Sequence, residues 1–341
     1  MLASSGGHDF ASAVERHRAR LHLHCYRMVG SLEDAEDLVQ ETVLRAWRHR
    51  RGFEGRSTLQ SWLYRIATNV CLDFLERRRT RAMSPQLALA LGPGEAPPAA
   101  SDLVWLDPYP ERLLARVASE DDDPETAVAS KETVELAFLA AIQHLPPRRR
   151  AVLILRDVLG WSAKETASAL GLTVPSVNSA LQRARATLGR HLPRRRVEWS
   201  PAADPSRSEL ALLRRYTEAH ESGDVDALAR LLRDDVRLSA PPLPGQRDGR
   251  DAFVASVRRS ATPGRFRYVQ TRANGQPAAA SYVRREGDRA HRPLAIDVLR
   301  IEDGLVAEVN VFLRAELFPA FGLPAALHPT PDETQHAERL Q

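Results

Sequence analysis

Asp34-Ala35-Glu36-Asp37-Leu38-Val39-Gln40-Glu41-Thr42-Val43-Leu44-Arg45-Ala46-Trp47, followed after a short break by Ser61-Trp62-Leu63-Tyr64-Arg65-Ile66-Ala67-Thr68-Asn69-Val70, is the stretch on which the reading of this chain turns. In the first segment Ala35, Leu38, Val39, Thr42 and Ala46 recur every three or four residues, the spacing of one buried helix face. Ser31 stands where an N-cap belongs, so a helix is predicted over 32–50. Asp34, Asp37, Gln40 and Glu41 form an acidic and polar surface beside the buried face, and such a surface is ordinarily just solvated.

Ser57 and Gln60 give a predicted capping box for the next helix, whose apolar stripe is Leu59, Leu63, Ile66, Val70 and Phe74. Its other face carries Trp62, Arg65, Asn69, Asp73 and Glu76. A tryptophan beside Arg and Asn offers a stacking plane for a base and hydrogen bonds for its edge. The helix runs on into Arg77-Arg78-Arg79-Thr80-Arg81, a cluster suited to phosphates. The same residues also allow Trp62 to pack on the preceding helix and Arg65 to pair with Asp37 or Glu41. Both readings stand at this level.

Further along, Leu136, Leu139, Ala140, Leu153 and Leu155 mark helices broken at Leu145-Pro146-Pro147. A helix-turn-helix pattern follows. Ser162 and Glu165 make a capping box, Gly171-Leu172 a turn, Thr173 a second cap, and Pro175 sits in a first helical turn, where its missing N–H costs little. Val177, Leu181, Ala184 and Leu188 must face inward, which leaves Ser176, Asn178, Ser179, Gln182, Arg183 and Arg185 outward. These are side chains that read base edges and phosphates in a major groove, although a helical hairpin with a polar outside has the same pattern.

The chain has 341 residues, 43% hydrophobic and 27% charged, with a net charge of +4 and a pI near 9.4. That length suits two or three soluble domains. Nearly all the positive charge is arginine, an excess that codon bias largely accounts for, so position matters more than number. Arg148-Arg149-Arg150 and Arg194-Arg195-Arg196, together with the 77–81 cluster, lie beside the motifs above and point to nucleic acid. No apolar run approaches the ~20 residues of a membrane span, and Met1–Phe10 has no apolar core of a secretion signal, so no membrane partner and a cytoplasmic location are expected. Cys25 and Cys71 sit within helical apolar patterns as buried thiols, and no metal or cofactor is expected.

Four blocks emerge: 10–81, a Pro-, Ala- and acid-rich linker 82–130, a helical block 131–197, and a last block 208–325. The linker holds Gly92-Pro93-Gly94 and Asp121-Asp122-Asp123-Pro124, yet its middle, Trp105–Leu114, is apolar enough to dock on a neighbour. In the last block 208–234 reads as a helix pair and 249–259 as a short helix. Strands are predicted over 269–276, 278–284, 294–301 and 305–313, the last two joined at Glu302-Asp303-Gly304.

The two opening segments resemble region 2.2 and the start of regions 2.3–2.4 of the extracytoplasmic-function (ECF) sigma factors, and Leu145–Leu153 with the helix-turn-helix resembles their region 4. The resemblance implies all-α region 2 (10–81) and region 4 (131–197) domains, with RNA polymerase core and promoter DNA as partners. Asp37, Leu38, Gln40 and Glu41 would then dock on the β′ clamp. Trp62, Arg65, Asn69, Asp73 and Arg77 would face the −10 element, with an extruded base near Asn69. Thr173, Ser176, Asn178, Ser179, Gln182, Arg183 and Arg185 would face the −35 element, and region 4 would also bind the β flap.

The last block resembles SnoaL-like domains of the NTF2 superfamily, an α+β cone. Asp297, Asn310, Tyr282 and His291 are its candidate inward polar residues. No acid–base pair has diagnostic spacing, so regulation in cis is expected rather than catalysis, with a small-molecule ligand as a candidate partner. The competing reading is a ligand-responsive helix-turn-helix regulator acting without polymerase.

Overall fold

In a computed structural model the described residues are 5–53, 55, 57–82, 106–119, 136–191, 205–239, 247–258, 265–285 and 287–328. Trp105, most of the 82–130 linker, Arg194-Arg195-Arg196, and the side chains of Arg79, Thr80, Arg81, Leu136 and Ala140 lie outside that description. Two compact units are present: 1–109 with 113–201, and 110–112 with 202–341.

The first unit opens with α1 (Ser5–Glu15), α2 (Arg18–Val29), α3 (Leu32–His49) and α4 (Leu59–Ala82). Leu21, Leu23, Met28, Ala35, Val39, Leu63, Ala67 and Val70 fill the space between α2, α3 and α4. Cys25 and Cys71 are free and buried there. Ser31 caps α3 by accepting from Asp34 N at 3.2 Å. The cap of α4 is Thr58, whose Oγ1 accepts from Ser61 N at 3.1 Å, so the expected Ser57–Gln60 box is displaced by one residue. Gly30, at φ 79°, ends α2 in a left-handed turn that few other residues adopt.

The docking expected of the 105–114 stretch is seen in its described part. Asp107 N donates to Gly30 O at 2.7 Å, and Leu32 N donates to Asp107 Oδ2 at 3.0 Å. One residue thus satisfies a carbonyl just past the end of α2 and an orphan N–H at the start of α3. Tyr109 is buried, its hydroxyl 2.9 Å from His22 Nδ1.

After α5 (Glu111–Ser119) come α6 (Leu136–Gln143), α7 (Pro147–Leu153), α8 (Ala163–Leu170) and α9 (Val174–His191). Both halves of the Ser162–Glu165 capping box form, and Gly171 turns the chain at φ 62°. Val177, Leu181 and Ala184 are buried, as their spacing required. Arg150 departs from the expectation that its run faces nucleic acid. It is buried and donates to the carbonyl oxygens of Met28, Ile142, Gln143 and Leu145. Pro147 starts α7 at a position that turns Arg150 inward, where a guanidinium can serve several carbonyls at once.

The second unit packs α10 (Arg207–Ser222), α11 (Val225–Ala229) and α12 (Arg250–Arg258) on one mixed sheet. Its strands are β1 (Leu232–Ser239), β2 (Arg247–Asp248), β3 (Phe266–Ala273), β4 (Gln276–Val283), β5 (Arg292–Glu302) and β6 (Leu305–Phe312), in the order β2-β1-β6-β5-β4-β3. All pairings are antiparallel except β1–β6. The two-residue hairpin turns Asn274-Gly275 and Asp303-Gly304 have positive φ at both positions, as a tight hairpin twist demands. β1 overturns part of the expected helix pair over 208–234. The charged Arg233-Asp234-Asp235 and a register shift against β6 hide its alternation. The core between helices and sheet is Leu212, Leu213, Tyr216, Leu228, Val236, Phe253, Ala279, Leu299 and Val309 with their neighbours.

Candidate nucleic-acid and polymerase interface

α3 and α4 pack side by side and present two adjacent surfaces. On α3, Asp37 and Gln40 are exposed and Glu41 half-buried, whereas Leu38 is only 5% exposed. Leu38 belongs to the helix's own core and lies beneath the expected docking surface. The exposed apolar groups are Leu44, at 50%, and Trp47, at 40%, and Arg50 lies over the Trp47 ring at 4.2 Å. Sequence reasoning passed over these two, although their place on the outward face follows from the same periodicity.

On α4, Arg65, Asn69, Asp73 and Arg77 form an exposed stripe at helical spacing. Trp62, at the head of that stripe, is 7% exposed. Its ring lies 5.3 Å from Phe53 and 6.4 Å from Phe10, the latter carried by α1. Of the two sequence readings, the packed one describes Trp62 here, and Phe10, well upstream, is the partner the local pattern could not supply. Among the described residues neither Asp37 nor Glu41 forms an ion pair with Arg65. Arg45 instead bridges the helices, donating to Glu41 Oε1 at 2.7 Å and Asp73 Oδ2 at 2.9 Å, bonds that raise its pKa. Arg78 pairs with Asp34 at 3.3 Å.

On α9 the outward set is as spaced. Thr173, Ser176, Asn178, Gln182, Arg183 and Arg185 are exposed and Ser179 is half-buried. Thr173 accepts from Ser176 N at 3.3 Å, so both also serve the helix start. Arg185 makes a two-pronged pair with Asp157 at 2.9 and 2.7 Å, which raises its pKa and holds its guanidinium on its own unit.

In the second unit only Asp297 of the four candidate inward residues lies within the core between helices and sheet. Tyr216 donates to its Oδ2 at 3.4 Å, and burial raises the carboxyl to about 7. Tyr282 points the other way along the strand and donates to Pro324 O at 2.9 Å. His291 bridges backbone with Leu327, and Asn310 bonds Ser239 and Glu308. Among the described residues no group of His, Cys, Asp and Glu is placed to hold a metal ion, and no helix is long and apolar enough to cross a membrane.

Residues 13–81 match the Sigma-70 region 2 family, 135–188 the Sigma-70 region 4 family, and 213–309 the SnoaL-like domain. The chain is 44% identical over 327 residues to the ECF RNA polymerase sigma factor SigG of Mycobacterium tuberculosis H37Rv, covering 94% of this chain and 85% of that protein. It is 32% identical over 190 residues to the ECF RNA polymerase sigma factor SigE of Mycolicibacterium smegmatis, covering 56% and 64%. The crystal structure of the M. tuberculosis ECF sigma factor SigJ aligns with a TM-score of 0.57 at 21% identity, over 93% of this chain and 99% of that one.

Proposed function

The chain belongs to the ECF RNA polymerase sigma factors, and from that membership we propose how its surfaces divide the work. As a member of the family it directs RNA polymerase core to promoters and initiates transcription. In the proposed division, Asp37, Gln40 and Glu41 of α3 grip the β′ clamp, with Leu44 and Trp47 as apolar neighbours. Arg65, Asn69, Asp73 and Arg77 of α4 engage the melted −10 element, with Trp62 supporting from beneath. Thr173, Ser176, Asn178, Ser179, Gln182, Arg183 and Arg185 engage the −35 element, Arg185 after exchanging Asp157 for a phosphate. Residues 10–81 and 131–197 act as the two sigma modules and 82–130 as their connector. The 208–325 domain acts in cis as a regulatory, non-enzymatic module that accepts a small molecule, and the protein works in the cytoplasm.

The observation that carries this reading is the exposed polar stripe of α4 lying next to the acidic face of α3, joined through Arg45. In vitro transcription with purified core polymerase tests it. Gln40→Lys with Glu41→Lys is expected to weaken core binding about tenfold or more, since adding one positive charge and reversing another at an interface costs ~1.4 kcal/mol or more. Asn69→Ala should leave core binding intact and reduce open-complex formation. Initiation untouched by the charge reversal sinks the assignment. A regulator working without polymerase would bind duplex DNA tightly alone and would leave the α3 surface idle, and the match to SigG across region 2 disfavours it.

A further inference from the structure

Six arginines gather at one end of the second unit's sheet. Arg284, Arg285, Arg289 and Arg292 stand in the stretch that leads from β4 into β5, and Arg265 and Arg267 stand at the start of β3. The strands bring them together. Arg284 N donates to Arg265 O at 2.9 Å, Arg267 lies opposite Tyr282, and Arg292 lies opposite Val283. The rim is three strands wide, ~10 Å at the usual strand spacing. Its backbone is held from outside as well, since His291 and Leu327 exchange hydrogen bonds of 2.8 and 3.0 Å.

Codon bias explains an arginine count, and it does not explain how these charges are left. Elsewhere on this unit arginines have acid partners. Arg233 pairs with Asp235 and Glu302, Arg250 with Asp234, and Arg300 with Glu302 and Glu308. At the rim Arg267 has Glu221 at 4.0 Å. Arg265, Arg284, Arg285, Arg289 and Arg292 form no ion pair with any described residue, and all but Arg284 are exposed. Asp288, in the same stretch, is turned back on the loop, where its Oδ2 accepts from Arg285 N at 3.0 Å.

Like charges held this close repel one another, and a surface that leaves them unpaired suits an anion carrying several charges in a row. Guanidinium forks are phosphate ligands. The dimensions favour a duplex. A B-DNA major groove is ~12 Å wide and admits a two-stranded β-ribbon, so a hairpin rim of ~10 Å places arginines near the phosphates of both strands. We propose that this rim is a phosphate-contacting surface for double-stranded DNA, with the β4–β5 hairpin along a groove and its arginines on the flanking backbones. The contact is independent of base sequence. It goes beyond the surfaces of regions 2 and 4 and holds whether or not the second unit accepts a small molecule or regulates in cis.

Fluorescence anisotropy of the full-length chain with a labelled duplex, over a series of salt concentrations, tests it. Each phosphate contact contributes about 0.9 to the slope of log affinity against log salt. Arg285→Ser with Arg289→Ser and Arg292→Ser should lower that slope by about 2 to 3, and the affinity at low salt by about tenfold or more. The three side chains are exposed, so the melting temperature should stay at the wild-type value. Lysine at the same three positions keeps the charge and should keep most of the slope. Arg265→Glu, on a different strand, should also lower the slope, and it decides the matter if the serine variant melts early. An unchanged slope in both the serine and the Arg265 variants overturns the proposal, as does a lysine variant as weak as the serine one. Lost binding to single-stranded DNA or to phosphatidylglycerol vesicles, with duplex binding intact, overturns it too. A slope that falls with serine and persists with lysine upholds it.

Discussion

Burial raises the Asp297 carboxyl to about 7, and the direction of that shift fixes how this residue ties stability to pH. The folded protein keeps a proton that the unfolded chain releases above about pH 4. The group's contribution is therefore fully present below about pH 4, falls as pH rises toward about 7, and stays lost above that. Tyr216 and Tyr268, the other acids facing it, have their pKa raised well above the usual tyrosine value and stay neutral throughout. His220, which burial lowers to about 4, acts in the opposite sense as pH falls, so the wild-type profile alone mixes two slopes. Asp297→Asn isolates one of them: Asn keeps an acceptor for Tyr216 and cannot ionise. At pH 8 the variant should melt higher than wild type, by an amount bounded at about 4 kcal/mol, and the advantage should vanish near pH 4. Thermal melts at both pH values decide it, and a constant offset would show that Asp297 ionises like an exposed carboxylate.

At the scale of elements, Arg150 ties the start of α7 to the end of α2 through Met28 O, and Gln143 Nε2 adds a bond to Arg27 O at 3.4 Å. Burial lowers the Arg150 pKa to about 10, still charged at neutral pH. Reading the −10 and −35 elements together requires two surfaces about 25 base pairs apart, ~85 Å at 3.4 Å per pair. α4 itself is only ~36 Å long for its 24 residues, and α7 and α8 touch it. If the proposed −10 and −35 surfaces are to be read together, this packing has to open, and Arg150 is the contact whose loss should favour opening. Arg150→Met should cost about 3 kcal/mol in urea unfolding, because several carbonyls lose a charged donor at once. It should also lengthen the region 2 to region 4 distance measured by energy transfer between dyes; an unchanged distance would exclude that role. The helices themselves were legible in the sequence, since caps such as Ser31, Ser162 and Thr173 and the apolar spacing are local signals. Arg150 was not, because a run of three arginines looks the same whether or not one of them turns inward. Trp62 stayed open between two readings for a related reason: its cover, Phe10, comes from another helix. β1 was missed because its partner β6 lies some seventy residues on. In the candidate sites the outward faces and the burial of Leu38 were readable from periodicity, while the bridging role of Arg45 needed the packing of α3 on α4.

At the scale of the molecule, the chain leaves the first unit after Tyr109, contributes Pro110–Arg112 to the second, and returns at Leu113. Within the second unit Pro110 forms a bridge to Ala273, Glu111 pairs with Arg272 at 3.5 Å and accepts from Gly275 N at 3.2 Å, and Arg112 donates to Pro319 O and Ala320 O. Within the first unit Asp107 and Tyr109 are held independently, by Gly30, Leu32 and His22. Asp107 and Tyr109 are thus pinned within the first unit and Pro110–Arg112 within the second. If the proposed regulation in cis holds, the 110–112 contacts are the place where the second unit restrains the connector. Ending the chain after residue 206 removes one set of pins and leaves the other. Transcription at limiting sigma factor should then rise, about tenfold for each 1.4 kcal/mol of restraint removed, with core affinity of the α3 surface retained. Glu111→Ala with Arg112→Ala should reproduce part of that rise in the full-length chain, since both side chains act only on the second unit's side of the connector. A truncated chain that transcribes at the full-length rate, with the double variant equally silent, removes the restraint and with it the case for regulation in cis.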